Sequence, residues 1–467
     1  MSRILYVPVG LTGFDIPVAT KNFNDTLAAF QTLAIAAHAP AAILTSPEDL
    51  EKFLRTPEAA GADLVIFQTA TFVGSNFISK VIELHAGPVV VWSVREPEVG
   101  KRLKLNSLTG GNSACHTLRC ENRRFGFWFG NPTEPRVQRQ IQSMCRAVAV
   151  AKRLAGGMKV GIVGEPPPGF TFCTADARML REATGVELVK LNISEILKEA
   201  ETLTEKEWTA TLDHTATQVR DLPRTAETTV KFAKAATLLL RYSETKNIGA
   251  MAIRCWPEFF TEFGAAACST LSFLTEEGIV SSCESDIHGA VSMFIEKELS
   301  GGQPPYLGDL VHLDEASNSV VFWHCGAGAF SLANKSTGAR AGGHPNNGVG
   351  LTMEFGLKPG KVTICRLSRV GPKYRMLILA GEALDSPQKF YGTTVDVRLP
   401  AEARAVMTDL MLEGYEPHYA VVHADIVAEL IDLSKLLGLE YTVYADTAGN
   451  AAPQTSVAAI KRTVPAA

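Results

Sequence analysis

The sequence predicts an α/β fold: two doubly wound parallel-sheet domains followed by a C-terminal domain with an antiparallel β-meander or barrel. Three observations predict it. Before residue 330, short runs rich in Val, Ile and Leu alternate with helical periodicity, the pattern of successive βα units. After residue 350 the helices drop out, and apolar runs follow one another across tight turns such as Lys358-Pro-Gly-Lys361 and Val370-Gly-Pro-Lys373, as in a meander or small barrel. Between the two regimes, residues 326–350 shift to Gly, Ala, Ser and Asn, a boundary or mobile-loop signal. The expected domains are 1–155, 156–330 and 331–467, in keeping with a chain of 467 residues.

Taken in order, the apolar runs at 3–9, 41–45, 63–69 and 88–93 read as strands, with helices expected at 22–38, 47–58 and 76–84. Residues 110–124 read as a loop that carries His116, Arg119, Arg123 and Arg124. Such a loop either is solvated charge or faces an anionic or polyhydroxyl ligand. A helix over 134–155 and a strand at Met158–Gly164 open the second α/β unit. Gly161 and Gly164 do not form G-x-G-x-x-G, and three prolines follow where a phosphate-cradling helix would start, so no dinucleotide site is expected. A helix-rich segment at 193–245 leads to a strand from Ile248 into a Trp256-Pro turn, then a helix over 262–274.

The stretch Val280–Gly328 is where the chemistry is expected. An apolar run ends at Glu284 and Asp286, and Ile287, Ala290, Val291, Phe294, Ile295 and Leu299 then mark one buried helix face. Pro304-Pro-Tyr-Leu-Gly-Asp309 breaks that helix, and Val320–Trp323 reads as a buried strand ending in His324. A strand-helix-strand unit places both strand ends on one edge of a parallel sheet, so Glu284, Asp309 and His324 are expected to converge. Oxygen and imidazole donors in that mixture suit a divalent ion such as Mn²⁺. Each residue also has a plainer reading. Asp286 opens a helix and is expected to cap it; Asp309 reads as a turn residue, and His324 as a core histidine. Glu284 lies on the strand side of the cap, where a buried carboxylate is costly unless paired or bound to a cation. Beyond the meander come a helix at 402–413, a strand at His418–His423 that Pro417 presents at a sheet edge, a helix at 425–437 and a strand at 440–444.

Composition narrows the function class. Hydrophobic residues make up 46% and charged residues 20% of the chain, an ordinary soluble globular balance. A net charge of −4 offers no footprint for nucleic acid, and no apolar run approaches the ~20 residues that span a bilayer. The nine cysteines include no C-x-x-C pair, and the N-terminal residues read as a strand, so no leader segment is expected. A cytoplasmic enzyme or binding protein for a small molecule is expected.

Four short motifs in order resemble the L-fucose isomerase and L-arabinose isomerase family of aldose–ketose isomerases. They are Cys283-Glu-Ser-Asp-Ile-His-Gly-Ala290, Ser300-Gly-Gly-Gln-Pro-Pro-Tyr-Leu-Gly-Asp309, Trp323-His-Cys-Gly326 and Glu416-Pro-His-Tyr-Ala-Val-Val-His423. The resemblance runs from about residue 135 to 445. It implies that Glu284, Asp309 and His418 hold a divalent cation, Mn²⁺ by preference, with His324 as a further ligand as in the arabinose branch. It also implies that Glu284 and Asp309 are the catalytic pair, moving a proton between C2 and C1 of a monosaccharide through a cis-enediolate. Trp256, His116 and Arg119 are the implied substrate contacts. The last two come from a neighbouring subunit of a homotrimer or homohexamer. The rival readings are a metal-dependent epimerase or lyase acting on a related sugar acid, and a non-catalytic sugar-binding protein.

Overall fold

The computed structural model describes residues 2–445 and 460–462. The chain divides into two compact units, one formed by residues up to 152 with Lys435–Gly438, the other by Arg153–Ser434 and the described residues after 438.

In the first unit, strands β1 (Ile4–Val9), β2 (Ala37–His38), β3 (Leu64–Thr69), β4 (Val89–Ser93) and β5 (Phe125–Phe129) form a parallel sheet in the order β2-β1-β3-β4-β5. β1, β3 and β4 are buried along their whole length, which is why they read as unbroken apolar runs. The strand expected at 41–45 is replaced by β2, and Leu44 touches β1 only through a single bridge to Val9. The expected loop at 110–124 is also corrected, because most of it lies in the helix Ser107–Cys120. Its buried positions, Ser107, Gly110, Gly111, Ala114 and Leu118, make one face that is small everywhere but at Leu118. A Cβ on Gly110 would lie 3.1 Å from the Val73 backbone nitrogen. The glycines that suggested a turn serve close packing instead.

The second unit begins with β6 (Lys159–Val163), β7 (Glu187–Leu191), β8 (Val219–Arg220), β9 (Ile248–Ile253) and β10 (Val280–Ser282). Four of these form a parallel sheet in the order β10-β9-β6-β7. Then follow β11 (Tyr306–Asp314), β12 (Ser319–His324), β13 (Ala339–Gly342), β14 (Thr352–Gly356), β15 (Gly360–Val370), β16 (Lys373–Ala383), β17 (Thr393–Arg398), β18 (His418–Val422), β19 (Glu440–Tyr444) and β20 (Ile460–Arg462). The six strands β16-β15-β18-β11-β12-β17 pair antiparallel in that order, and β17 pairs back onto β16, closing a barrel. Phe322, Ile364, Leu377, Val395, Tyr419 and Val421 belong to the core associated with it. Closure leaves these six strands without an open edge.

The predicted barrel is present, but it begins earlier than the composition suggests. Pro304 and Pro305 do end the helix Ile287–Leu299, yet Tyr306–Asp314 is a barrel strand and not a turn. β12 is correspondingly antiparallel to β11 and lies outside the sheet of β10, so the strand-helix-strand unit is not a parallel one. A register shift between Leu310 and His312, with Val311 exposed, breaks the alternation that would mark this strand in the sequence.

Candidate metal and substrate site

Groups from β11, β12, β18 and the turn after β10 meet where the barrel wall adjoins the parallel sheet of the second unit. Asp309 on β11 is paired in register with His418 on β18 and with Trp323 on β12. Cross-strand partners project from the same face, so the carboxylate, the imidazole and the indole stand side by side. Glu284 arrives from the other layer, in the turn after β10. Glu284 and Ser285 both have left-handed backbone, with φ of 56° and 53°. Two successive non-glycine residues in that region are costly, and such strain clusters at functional sites. Here the turn directs Glu284 toward His418 and leaves Asp286 in place to start the next helix.

The distances define the cluster. His418 Nε2 lies 3.1 Å from Glu284 Oε2 and 3.4 Å from Asp309 Oδ1. On the far side of the ring, Nδ1 is 2.9 Å from Asp286 Oδ2. Asp286 also caps the helix by accepting from the Gly289 backbone N–H at 2.9 Å, as its position predicts, and its carboxylate accepts from both terminal nitrogens of Arg366. Asp286 and Arg366 are fully buried. Arg366 Nε is 3.6 Å from Glu416 Oε2.

Charge follows from this arrangement. Burial pushes the Asp286 pKa up, but Arg366 and His418 outweigh it and hold the group well below the usual carboxylate range. Burial also favours neutral His418, yet its contacts with Asp286, Cys173 and Glu284 raise it well above the ordinary value. Asp286 accepts the Nδ1 hydrogen, which leaves Nε2 facing Glu284 and Asp309. A carboxylate behind a histidine is the arrangement that fixes a metal-binding imidazole. Glu284, His324 and His418 bring ligand-capable atoms within 4.8 Å of one another, and with Asp309 beside His418 these residues could hold a divalent cation.

The remaining residues form the walls. His324, at the end of β12, is buried, with its ring centroid 5.7 Å from that of His418. Trp256 donates from its indole nitrogen to Glu284 Oε1 at 3.4 Å. Phe170 and Phe172, in the segment after β6, pack edge-on against Trp256 and His418 respectively. Trp323 continues the barrel face into an apolar groove of about 380 Å³ that it shares with Val311, Pro345, Phe390 and Tyr391. His116 and Arg119 belong to the first unit, exposed on the helix Ser107–Cys120.

The comparisons with known proteins point the same way. Residues 327–445 match the description "L-fucose isomerase, C-terminal domain". A sulfoquinovose isomerase from Priestia megaterium is 48% identical over 443 residues, covering 95% of this chain and 99% of that protein. The chain belongs to the L-fucose isomerase-like family of aldose–ketose isomerases. A further relative, the sulfoquinovose isomerase from Alkalicoccus urumqiensis, is 45% identical over 94% of this chain and 98% of its own length. Among solved structures, a glucose-galactose binding protein from Geobacillus stearothermophilus covers 64% of this chain and 91% of its own, at 14% identity and a TM-score of 0.18, too low to carry any argument.

Within this fucose isomerase-like chain, sequence reasoning missed Asp286 as a partner of His418, and it missed Arg366 altogether. The signal for Arg366 was present. A lone arginine inside the apolar run Val362–Leu367 must be paired if that run is a buried strand. Phe170 and Phe172 carried no signal beyond their place after a strand.

Proposed function

We propose that this protein is a divalent-cation-dependent aldose–ketose isomerase that interconverts sulfoquinovose, a hexose with a sulfonate at C6, and the corresponding ketose. The observation that carries the chemistry is the convergence of Glu284, Asp309 and the Nε2 of His418, with Asp286 behind the ring. The substrate rests on the relatives named for it at 48% and 45% identity over nearly the whole chain.

Glu284, Asp309 and His418 would hold the cation, with His324 facing them. When bound, the cation polarises the substrate's C1 and C2 oxygens and stabilises the enediolate charge. The chain's own residues do the rest. His418 stays fixed by Asp286, and Trp256 steadies Glu284 through its indole N–H. The two carboxylates are the groups positioned to take the C2 proton and return it to C1, general acid–base work on a cis-enediolate. Phe170, Phe172 and Trp256 keep water from the carbon that carries the negative charge. His116 and Arg119 are proposed to complete the site of a neighbouring subunit in a trimer or hexamer, and the nine free cysteines suit a cytoplasmic setting.

The test is product analysis by NMR after incubating purified protein with sulfoquinovose, with and without Mn²⁺. Appearance of the ketose only when Mn²⁺ is present is expected. Formation of the C2 epimer, or equal conversion by chelator-treated protein, would overturn the proposal.

A further inference from the structure

The two histidines of the site present opposite faces of their chemistry. His418 uses Nδ1 as a donor to Asp286, which leaves Nε2 as the lone-pair nitrogen of the neutral ring. His324 does the reverse. Its Nδ1 accepts the backbone N–H of Cys325 at 2.9 Å, and a ring nitrogen that accepts carries no hydrogen. The ring hydrogen therefore sits on Nε2. That Nε2 is buried without a hydrogen-bond partner among the described residues, in a side chain that is 2% exposed. Ligand-capable atoms of Glu284, His324 and His418 lie within 4.8 Å of one another. A buried N–H with no partner is costly, and one aimed among such groups calls for a ligand oxygen.

We infer that His324 is a catalytic hydrogen-bond donor. Its Nε2–H is directed at the substrate oxygen that gains negative charge in the enediolate, in place of the fourth cation-ligand role that the arabinose-branch resemblance implies. The inference rests on the isomerase reading and deepens it. A lone pair on Nε2 would require the hydrogen to move to Nδ1, where it would face the Cys325 N–H. His324 gains nothing by that exchange, whereas a preorganised donor at a developing oxyanion stabilises the transition state directly.

The test compares His324→Gln, which keeps an N–H near the Nε2 position, and His324→Leu, which does not, with His418→Gln as the ligand control. Mn²⁺ affinity is measured calorimetrically on cation-free full-length protein, turnover with sulfoquinovose, and the His324 tautomer by ¹⁵N NMR. Expected are wild-type Mn²⁺ affinity in both His324 variants against a large loss in His418→Gln. Turnover should fall about 10²–10³-fold in His324→Leu with substantial recovery in His324→Gln, and the wild-type tautomer should be Nε2–H. Weakened Mn²⁺ binding in the His324 variants of an active enzyme, or an Nδ1–H tautomer, overturns the donor assignment alone. Wild-type protein that binds Mn²⁺ but converts no aldose removes the isomerase reading instead.

Discussion

Replacing Gly289 with alanine should do the opposite of what the same change does in most helices. Gly289 lies in the first turn of the helix Ile287–Leu299, where alanine ordinarily gains up to about 1 kcal/mol over glycine. Here the added Cβ would sit 2.5 Å from Asp286 Oδ2, 2.8 Å from Asp286 Cγ and 3.2 Å from Arg366 Nη1. The end of a free side chain would swing away. This carboxylate is held from three directions, by the Gly289 N–H, by Arg366 and by His418, and it has no solvent to move into. Overpacking of this kind costs roughly 1–3 kcal/mol, so after the helix gain we expect a net loss of about 1–2 kcal/mol. Because the displaced oxygen is the one that holds His418 Nδ1, Mn²⁺ affinity should fall about 10- to 100-fold, as for other partners behind metal ligands. Urea denaturation and calorimetric Mn²⁺ titration read the two effects separately. A variant more stable than wild type, with unchanged Mn²⁺ affinity, would refute the picture of a pinned carboxylate.

Asp286→Asn keeps the helix cap but strips Arg366 of its buried counter-charge, so a loss of about 3 kcal/mol in urea denaturation is expected. A loss below ~1 kcal/mol would mean that Glu416, 3.6 Å away, suffices for Arg366. Glu284→Gln and Asp309→Asn should each lower turnover by orders of magnitude with the far-UV circular dichroism of wild type, and near-normal rates in either would remove the proton-transfer pair. Glu296 is fully buried and neither of its carboxylate oxygens has a hydrogen-bond partner among the described residues, with the Cys365 thiol as a weak neighbour. Burial raises its pKa well above the ordinary value, so the folded state keeps a proton that the unfolded chain releases above roughly pH 4.3. That contribution to stability is complete below this pH and is lost as pH rises toward the folded-state value. Glu296→Met should therefore flatten the decline of stability with pH, while a slope as steep as wild type would place the titration elsewhere.

The sequence displayed the fold through periodicity and the candidate site through its carboxylates and histidines. Alternating runs marked the parallel strands, and the closely spaced runs after residue 350 marked the barrel. What escaped had a common cause. β11 breaks its own alternation by an irregularity at Val311, and the helix Ser107–Cys120 hides behind glycines whose purpose is close packing and not turning. In the site, Glu284, Asp309 and His418 were legible because carboxylates and histidines at strand ends have few inert explanations. Asp286 was half legible. Its capping role satisfied the local pattern, and nothing local reports that the other oxygen reaches a histidine on a distant strand.

The site draws its donors from two separate backbone systems, which bears on how the second unit comes apart. Asp309 and His418 are ladder partners, locked by the barrel's own hydrogen bonds, whereas Glu284 depends on the turn after β10. An ion gripped by all three would act as a cross-brace between layers that the chain joins only through long excursions. Peeling one layer from the other would empty the site before either layer melted, so ion release should report the earliest parting of the two, and saturating Mn²⁺ should raise the midpoint of unfolding in proportion to the logarithm of its concentration.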